Sequence, residues 1–338
     1  MLSNQTIIYN LEMKTYQQLW QSLTPLYDAG EAQAIVRTVL DVEYGMTLTD
    51  IICGKVNELS ADEGRKLEEI IIRLQKGEPV QYVLGEADFA GRTFHVEPGV
   101  LIPRPETAEL CQWIEEDMAG KSTVSSEDFS EDSPQAPDDA RQILDICTGS
   151  GCIAITLGLN IPNSEVTGWD ISEDALRIAQ GNVEMLKARN VRIEYQDALA
   201  LQKAAETDNE KMKVNADKEV VKPKGEAKTP STQKWDMIVS NPPYICEKEK
   251  ADMEKNVLEH EPSIALFVPD EDPLKFYRAI AEYASSSLKS GGALYFEINP
   301  IYEKETRKML EELGFKDIET KEDAFGKKRM MKAKNNKE

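Results

Sequence analysis

Between residues 142 and 332 the sequence alternates short apolar runs with longer segments whose apolar residues recur at three- and four-residue steps. The short runs predict strands at 142–146, 165–168, 191–195, 237–240, 293–298, near 315–318 and at 329–332. Helices are expected at 150–159, 172–188, 273–288 and 302–313. Such alternation builds βαβ units, and therefore a mostly parallel sheet with helices on both faces. It also dictates where a ligand sits, outside the carboxyl ends of the strands and beside the switch in strand order.

Two of those strand ends carry chemistry. In "ILDICTGSGCIAIT" a buried strand ends at Asp145, a loop of small residues follows, and a helix begins near Ser150. Gly149 and Gly151 permit positive φ and close approach of backbone to a ligand, and a helix N-terminus offers unpaired N–H groups. Gly149-x-Gly151-x-x-Ala154 fits the dinucleotide fingerprint, with Asp170 at a suitable distance for a ribose contact. S-adenosylmethionine would use the same loop for its amino-acid end and Asp170 for both ribose hydroxyls. The local string suits both cofactors. Asp197, which closes "VRIEYQD", is a third acid at a strand end, placed either to accept from an adenine amino group or to cap a helix.

The second strand end is Asn241-Pro242-Pro243-Tyr244, directly after "WDMIVS". Two prolines remove two donors and fix two φ angles. The Asn241 carboxamide oxygen and the Pro242 carbonyl supply two acceptors, and the ring of Tyr244 supplies a flat face. Together they form a receptacle for a planar NH₂ group. That suits methylation of an amide or exocyclic amine, where gripping both N–H hydrogens raises electron density on a poorly nucleophilic nitrogen and stabilises the positive charge that develops on it. A dehydrogenase has no use for such a grip, so the corner favours the methyl donor.

The rest of the chain divides by composition. Residues 16–77 read as helices, with Tyr16, Leu19, Trp20, Leu23 and Leu26 on one face of a first segment closed by Gly30. Ile35, Val36, Val39 and Leu40 mark a second, and a third is capped by Ser60 with Glu63 and faced by Leu67, Ile70, Ile71 and Leu74. We expect a helical bundle over 1–80, a connector over 81–105 with a hairpin turning at Ala90-Gly91, and a catalytic domain over 106–338 that opens with a helix near 107–118. Low-complexity insertions are expected at 121–139 and 203–234; their formal charges are −5 and +2, so −18 of the net −21 belongs to the remainder. That acidity disfavours nucleic acid as a direct partner. Five cysteines without a CxxC pair, beside two histidines, point to free thiols and to no metal site. With no apolar run of membrane-spanning length, a cytoplasmic address is expected.

"LDICTGSGCIAI", "GWDIS", "NPPYI" and "GVLIPRPETAEL" together resemble the protein-(glutamine-N5) methyltransferases, most closely the HemK-like release factor glutamine methyltransferase family. "GEPVQYVLGEADFAGRTFHVEPGVLIPRPET" is the most specific part, because the NPPY corner is shared with enzymes that methylate amino groups of DNA and RNA. The resemblance implies a class I S-adenosylmethionine-dependent methyltransferase domain, with a Rossmann-like seven-stranded sheet, preceded by a small helical domain. It implies methyl transfer to the glutamine of the Gly-Gly-Gln loop of peptide chain release factors, in translation termination. By position, Cys147, Thr148, Gly149, Ser150, Gly151 and Asp170 would bind the cofactor, Asp197 and Ala198 would flank adenine, and Asn241, Pro242, Pro243 and Tyr244 would bind the target glutamine. The sequence departs from the family at Cys147, where glycine is usual, and at Ala198, where relatives often carry a large side chain. A ribosomal-protein glutamine and an adenine N6 are the alternative targets. Arg104 and Glu106 read as an ion pair fixing the connector or as a gate to the cofactor pocket, Glu297 as a buried carboxylate in need of a partner, and His260 as a surface or loop-packing residue.

Overall fold

The computed structural model describes residues 14–120, 140–201 and 234–336, so the expected insertion at 121–139, and that at 203–234 up to residue 233, lie outside the described residues, as do 1–13, 202 and 337–338. The chain divides into two compact units. The described residues up to Glu86, with Glu254–His260, form the first, and Ala87–Met253 with the described residues from Glu261 onward form the second.

The first unit is all helical: Tyr16–Gln21, Ala29–Tyr44, Leu48–Ile52, Ala61–Leu74, Val80–Leu84 and Lys255–His260. Four of its helices begin where a side-chain acceptor meets orphan N–H groups. Thr15, Thr47 and Ser60 each close a capping box with the residue three places on. Leu19, Leu23, Val36, Val39, Leu40, Leu67, Ile71 and Leu74 fill its core. Gly30 does not close the first helix as its sequence suggests. Asp28 accepts from the Gly30 and Glu31 amides and starts the second helix there, leaving Leu26 half exposed.

The second unit opens with a hairpin of β1 (Glu86–Phe89) and β2 (Arg92–His95), in which Ala90 and Gly91 both adopt positive φ. Phe89 and Phe94 face inward, edge to face, while Thr93 and His95 face solvent. A helix at Pro105–Gly120 follows, then β3 (Arg141–Ile146), β4 (Ser164–Asp170), β5 (Val191–Tyr195), β6 (Trp235–Ser240), the two-residue pair β7 (Ile245–Cys246) and β8 (Phe267–Val268), β9 (Leu288–Glu297), β10 (Lys316–Glu322) and β11 (Lys328–Lys334). The sheet order is β10-β11-β9-β6-β3-β4-β5. Only the pairings made by β11 are antiparallel. This is the seven-stranded class I methyltransferase sheet. All seven expected strands form, β5 with its expected bounds and the other six longer than expected. The chain proceeds from β3 outward to β5, then returns to place β6 on the other flank of β3. The carboxyl ends of β3 and β6 are therefore neighbours at the switch point, which brings the glycine loop beside the proline corner. Among the described residues no helix is long and apolar enough to cross a membrane.

Candidate active site

A cavity of about 250 Å³ opens at that switch point, and the loops after β3, β4, β5 and β6 all line it. The glycine loop supplies Cys147, Thr148, Gly149 and Ser150; β4 leads to Asp170, β5 to Asp197 and Ala198, and β6 to Asn241 and Pro243. Gly151 stands just behind. Pro242 is buried and does not line this cavity, and Tyr244 lies half-buried against the core beneath the corner. Nine of the twelve residues singled out from the sequence therefore share one cavity.

The loop is held by carboxylates. Asp145, fully buried, accepts the Thr148 hydroxyl at 2.6 Å and the Ala154 amide at 3.2 Å through Oδ2. Burial pushes its pKa up to about 7, against the pull of those two donors. Asp170 accepts the Gly149 amide at 2.9 Å through one oxygen and the Ser172 amide at 2.9 Å through the other. Burial raises its pKa and the backbone donors oppose the rise. Each Asp170 oxygen thus keeps lone pairs for a ligand hydroxyl. Asp197 accepts the Leu199 amide at 2.8 Å, which turns the chain rather than starting a helix.

Gly151 has no substitute. Its φ is +81°, and a Cβ there would stand 3.1 Å from Ile155 and 3.2 Å from Ala179. Gly151→Ala is expected to cost about 2 kcal/mol of unfolding free energy, from the left-handed backbone and the crowding together; chemical denaturation measures it. Cys147 sits at φ +64°, a glycine-like conformation retained at the position where the sequence departs from glycine. Burial first, and then the Asp170 and Asp145 carboxylates, push its thiol well up, so it stays protonated and weakly nucleophilic.

The corner is fastened from behind. Asn241 Nδ2 donates to Thr107 Oγ1 at 3.1 Å, Thr107 donates to Glu297 Oε2 at 2.6 Å, and the Tyr244 hydroxyl donates to Glu297 Oε1 at 2.9 Å. Asn299 donates to the Tyr244 carbonyl at 3.2 Å. The Asn241 carboxamide is therefore not folded into the core. Its NH₂ is occupied and its oxygen remains for a ligand.

Of the connector's share of this cavity the sequence suggested only Arg104, which does line it. Val100, Leu101 and Pro103 form part of its wall, and Ile264 and Phe276 another part. Arg104 pairs with the buried carboxylate of Glu261, not with Glu106, and Glu261 also accepts the Ile102 amide at 3.2 Å. This ties together two segments that both line the cavity. The burial of Glu261 has no local signal in the sequence.

The residues around the cavity match a described family. A model described as a methyltransferase domain matches residues 137–312, and one described as the PrmC N-terminal domain matches residues 22–85. A protein of Bacteroides thetaiotaomicron named release factor glutamine methyltransferase is 44% identical over 313 residues, covering 93% of this chain and 96% of its own. This chain belongs to the release factor glutamine methyltransferase family. Another member, from Flavobacterium psychrophilum, is 36% identical over 95% of this chain and 98% of its own length. One from Streptococcus pneumoniae is 34% identical over 85% and 86%. As a member of the family the protein uses S-adenosylmethionine.

The cavity fits that donor. Among the described residues, the buried Ser150 Oγ and Asp145 Oδ1 have no hydrogen-bond partner, and both belong to the glycine loop or its anchor. Space beside Gly149 is open where a Cβ would stand. Ser150 lines the cavity, so the amino-acid end of a bound donor would give its hydroxyl a partner, and ribose hydroxyls would engage Asp170. Asp170→Asn should weaken S-adenosylmethionine binding about 10- to 100-fold, because a buried acceptor becomes a donor facing hydroxyl protons. Calorimetric titration reads this directly.

Proposed function

We propose that this protein methylates the side-chain amide nitrogen, N5, of the glutamine in the Gly-Gly-Gln loop of peptide chain release factors. The observation that carries the reading is the Asn241 carboxamide, which lines the donor cavity with its NH₂ already bonded to Thr107 and its oxygen available. That oxygen accepts one hydrogen of the target NH₂. The neighbouring Pro242 carbonyl would accept the other, and Tyr244 and Pro243 would shape the site around the amide plane. The donor, when bound, supplies an electrophilic methyl carbon attached to a sulfonium. The chain's own residues orient the amide nitrogen for in-line attack and stabilise the positive charge it acquires. No strong base is needed, since the alkylated nitrogen gives up its proton readily to water. His260 belongs to the helical unit and has no role in this scheme.

Cys147, Thr148, Gly149, Ser150 and Gly151 would hold the amino-acid end of the donor and Asp170 its ribose. Asp197, with Ala198 and the adjacent Leu199, would border the adenine. Ala198 is itself buried in the core, so the neighbouring Ile171 and Leu199, which line the cavity, would provide the apolar contact that a larger residue at 198 gives in relatives. The helical unit is assigned to recognition of the protein substrate, acting in the cytoplasm. The acidic balance argues against nucleic acid as the substrate.

The test is incubation of the purified protein with labelled S-adenosylmethionine and intact release factors, followed by mass spectrometry of the Gly-Gly-Gln peptide. A single added methyl on the glutamine is expected. Label found instead in a ribosomal protein or in nucleic acid, with release factors unmarked, would replace this reading with one of its alternatives.

A further inference from the structure

We propose that Thr107 and Glu297 are positioning residues that set which end of the Asn241 carboxamide faces the target nitrogen. The inference rests on the glutamine-amide reading given above. An asparagine side chain has an accepting oxygen and a donating NH₂ of nearly the same shape, and only the oxygen can grip the hydrogens of another amide. Something must prevent the group from turning over.

Counting hydrogens along the chain of contacts gives the answer. Glu297, at the carboxyl end of β9, is buried, and its ionised carboxylate can only accept. Its Oε2 takes the single hydroxyl hydrogen of Thr107 at 2.6 Å. Thr107, in the first turn of the helix Pro105–Gly120, then has only lone pairs left, so toward Asn241 it can only accept. Its partner there is Nδ2, at 3.1 Å. A turned-over Asn241 would set oxygen against oxygen inside a buried site and leave both without a hydrogen.

The other arm of Glu297 is fixed the same way. The Arg329 guanidinium donates to the Tyr244 hydroxyl at 3.4 Å, so the Tyr244 hydrogen goes to Glu297 Oε1 at 2.9 Å. Arg329 is itself held by Asp323 at 2.9 Å. One carboxylate thus sets the polarity of both side chains that flank the proline pair. Desolvation raises the Glu297 pKa, Thr107, Tyr244 and Arg329 work against the rise, and Glu106 adds to it. Protonation would let Glu297 donate to Thr107 and free that hydroxyl to donate to Asn241, reversing the relay. The acid limb of kcat should therefore follow this group.

The experiment uses the full chain, labelled S-adenosylmethionine and an intact release factor. Thr107→Val should lower kcat about 100-fold, the scale set by loss of one preorganised polar contact at a reacting centre. Affinity for S-adenosylmethionine should stay within about threefold of wild type. Thr107→Ser, which keeps the hydroxyl, should stay within about threefold of wild type in kcat. Glu297→Gln, able to donate toward Thr107, should fall alongside Thr107→Val. In an Asn241→Ala background, Thr107→Val should cost nothing further, because it acts only through Asn241. Equal kcat for the valine and serine variants overturns the relay, as does a full additional loss in the Asn241→Ala background. A wild-type protein that leaves release factors unlabelled overturns the functional reading, and the relay with it; labelling by wild type and Thr107→Val alike overturns the relay alone.

Discussion

Replacing Asn241 with alanine should reduce kcat for release factor methylation roughly 100- to 1000-fold, the range seen when one preorganised polar group at a charge-developing centre is removed. The amide nitrogen is a weak nucleophile because its lone pair is shared with its carbonyl. It becomes reactive when both of its hydrogens point at acceptors and its remaining face points at the methyl carbon. Alanine removes the side-chain acceptor and leaves only the Pro242 carbonyl, so one hydrogen is unheld and the nitrogen is free to rotate out of line. The KM for the release factor should change much less, since most of a protein substrate's contacts lie away from the reacting amide. S-adenosylmethionine affinity should stay within about tenfold, because Asn241 is one of many residues around the cavity while Asp170 and the glycine loop are intact. Steady-state kinetics with mass-spectrometric detection separates these quantities. A variant that lost donor affinity in proportion to kcat would show Asn241 to be a wall of the donor cavity rather than a grip on glutamine.

The second large effect concerns stability. Asp145 has an ordinary pKa of 3.8 that burial pushes to about 7. An acid whose folded-state pKa is raised favours folding fully below pH 3.8, and that contribution is lost as pH climbs to about 7. At 1.36 kcal/mol for each tenfold change in the proton equilibrium, the loss amounts to about 4 kcal/mol. Asp145→Asn can keep the oxygen that accepts from Thr148 and Ala154, and it carries no charge. The cofactor-free variant should therefore be more stable than wild type above pH 7, by up to about 4 kcal/mol, and should lose the advantage near pH 4. Thermal unfolding at pH 4, 6 and 8 tests this, and parallel profiles for the two proteins would refute it. The buried charge makes sense if it waits for a cation. An ammonium group bound at the glycine loop would restore the ionised form, so cofactor binding near pH 7 would release a proton.

Most of the framework was legible because it depends on local periodicity. β3 to β6 are apolar runs flanked by small or polar residues, and the helices of the second unit repeat at the period of an amphipathic helix. The glycine loop and the proline corner were legible for a different reason: few backbones need Gly149-x-Gly151, or two prolines after an asparagine. The relay behind Asn241 was not. Thr107 and Glu297 are 190 residues apart, and neither has an unusual neighbourhood in sequence; the pairing exists only because the sheet order puts β9 beside β6 and lays a helix across the end. Glu297 declared itself only as a carboxylate in a run that ought to be buried. The Arg104–Glu261 pair was misread for the same reason: Glu106 is nearer in sequence, but Glu261 is buried and needs the charge. Val80–Leu84 went unseen as a helix because it is five residues long and begins at Pro79 without a side-chain cap.

β11 lies between β9 and β10, and Arg329 from its first turn of pairing reaches the Tyr244 hydroxyl. Every residue that lines the donor cavity is translated before β10 begins. A change at Arg329 would thus loosen the reactive corner through Tyr244 while leaving the wall of the donor cavity intact.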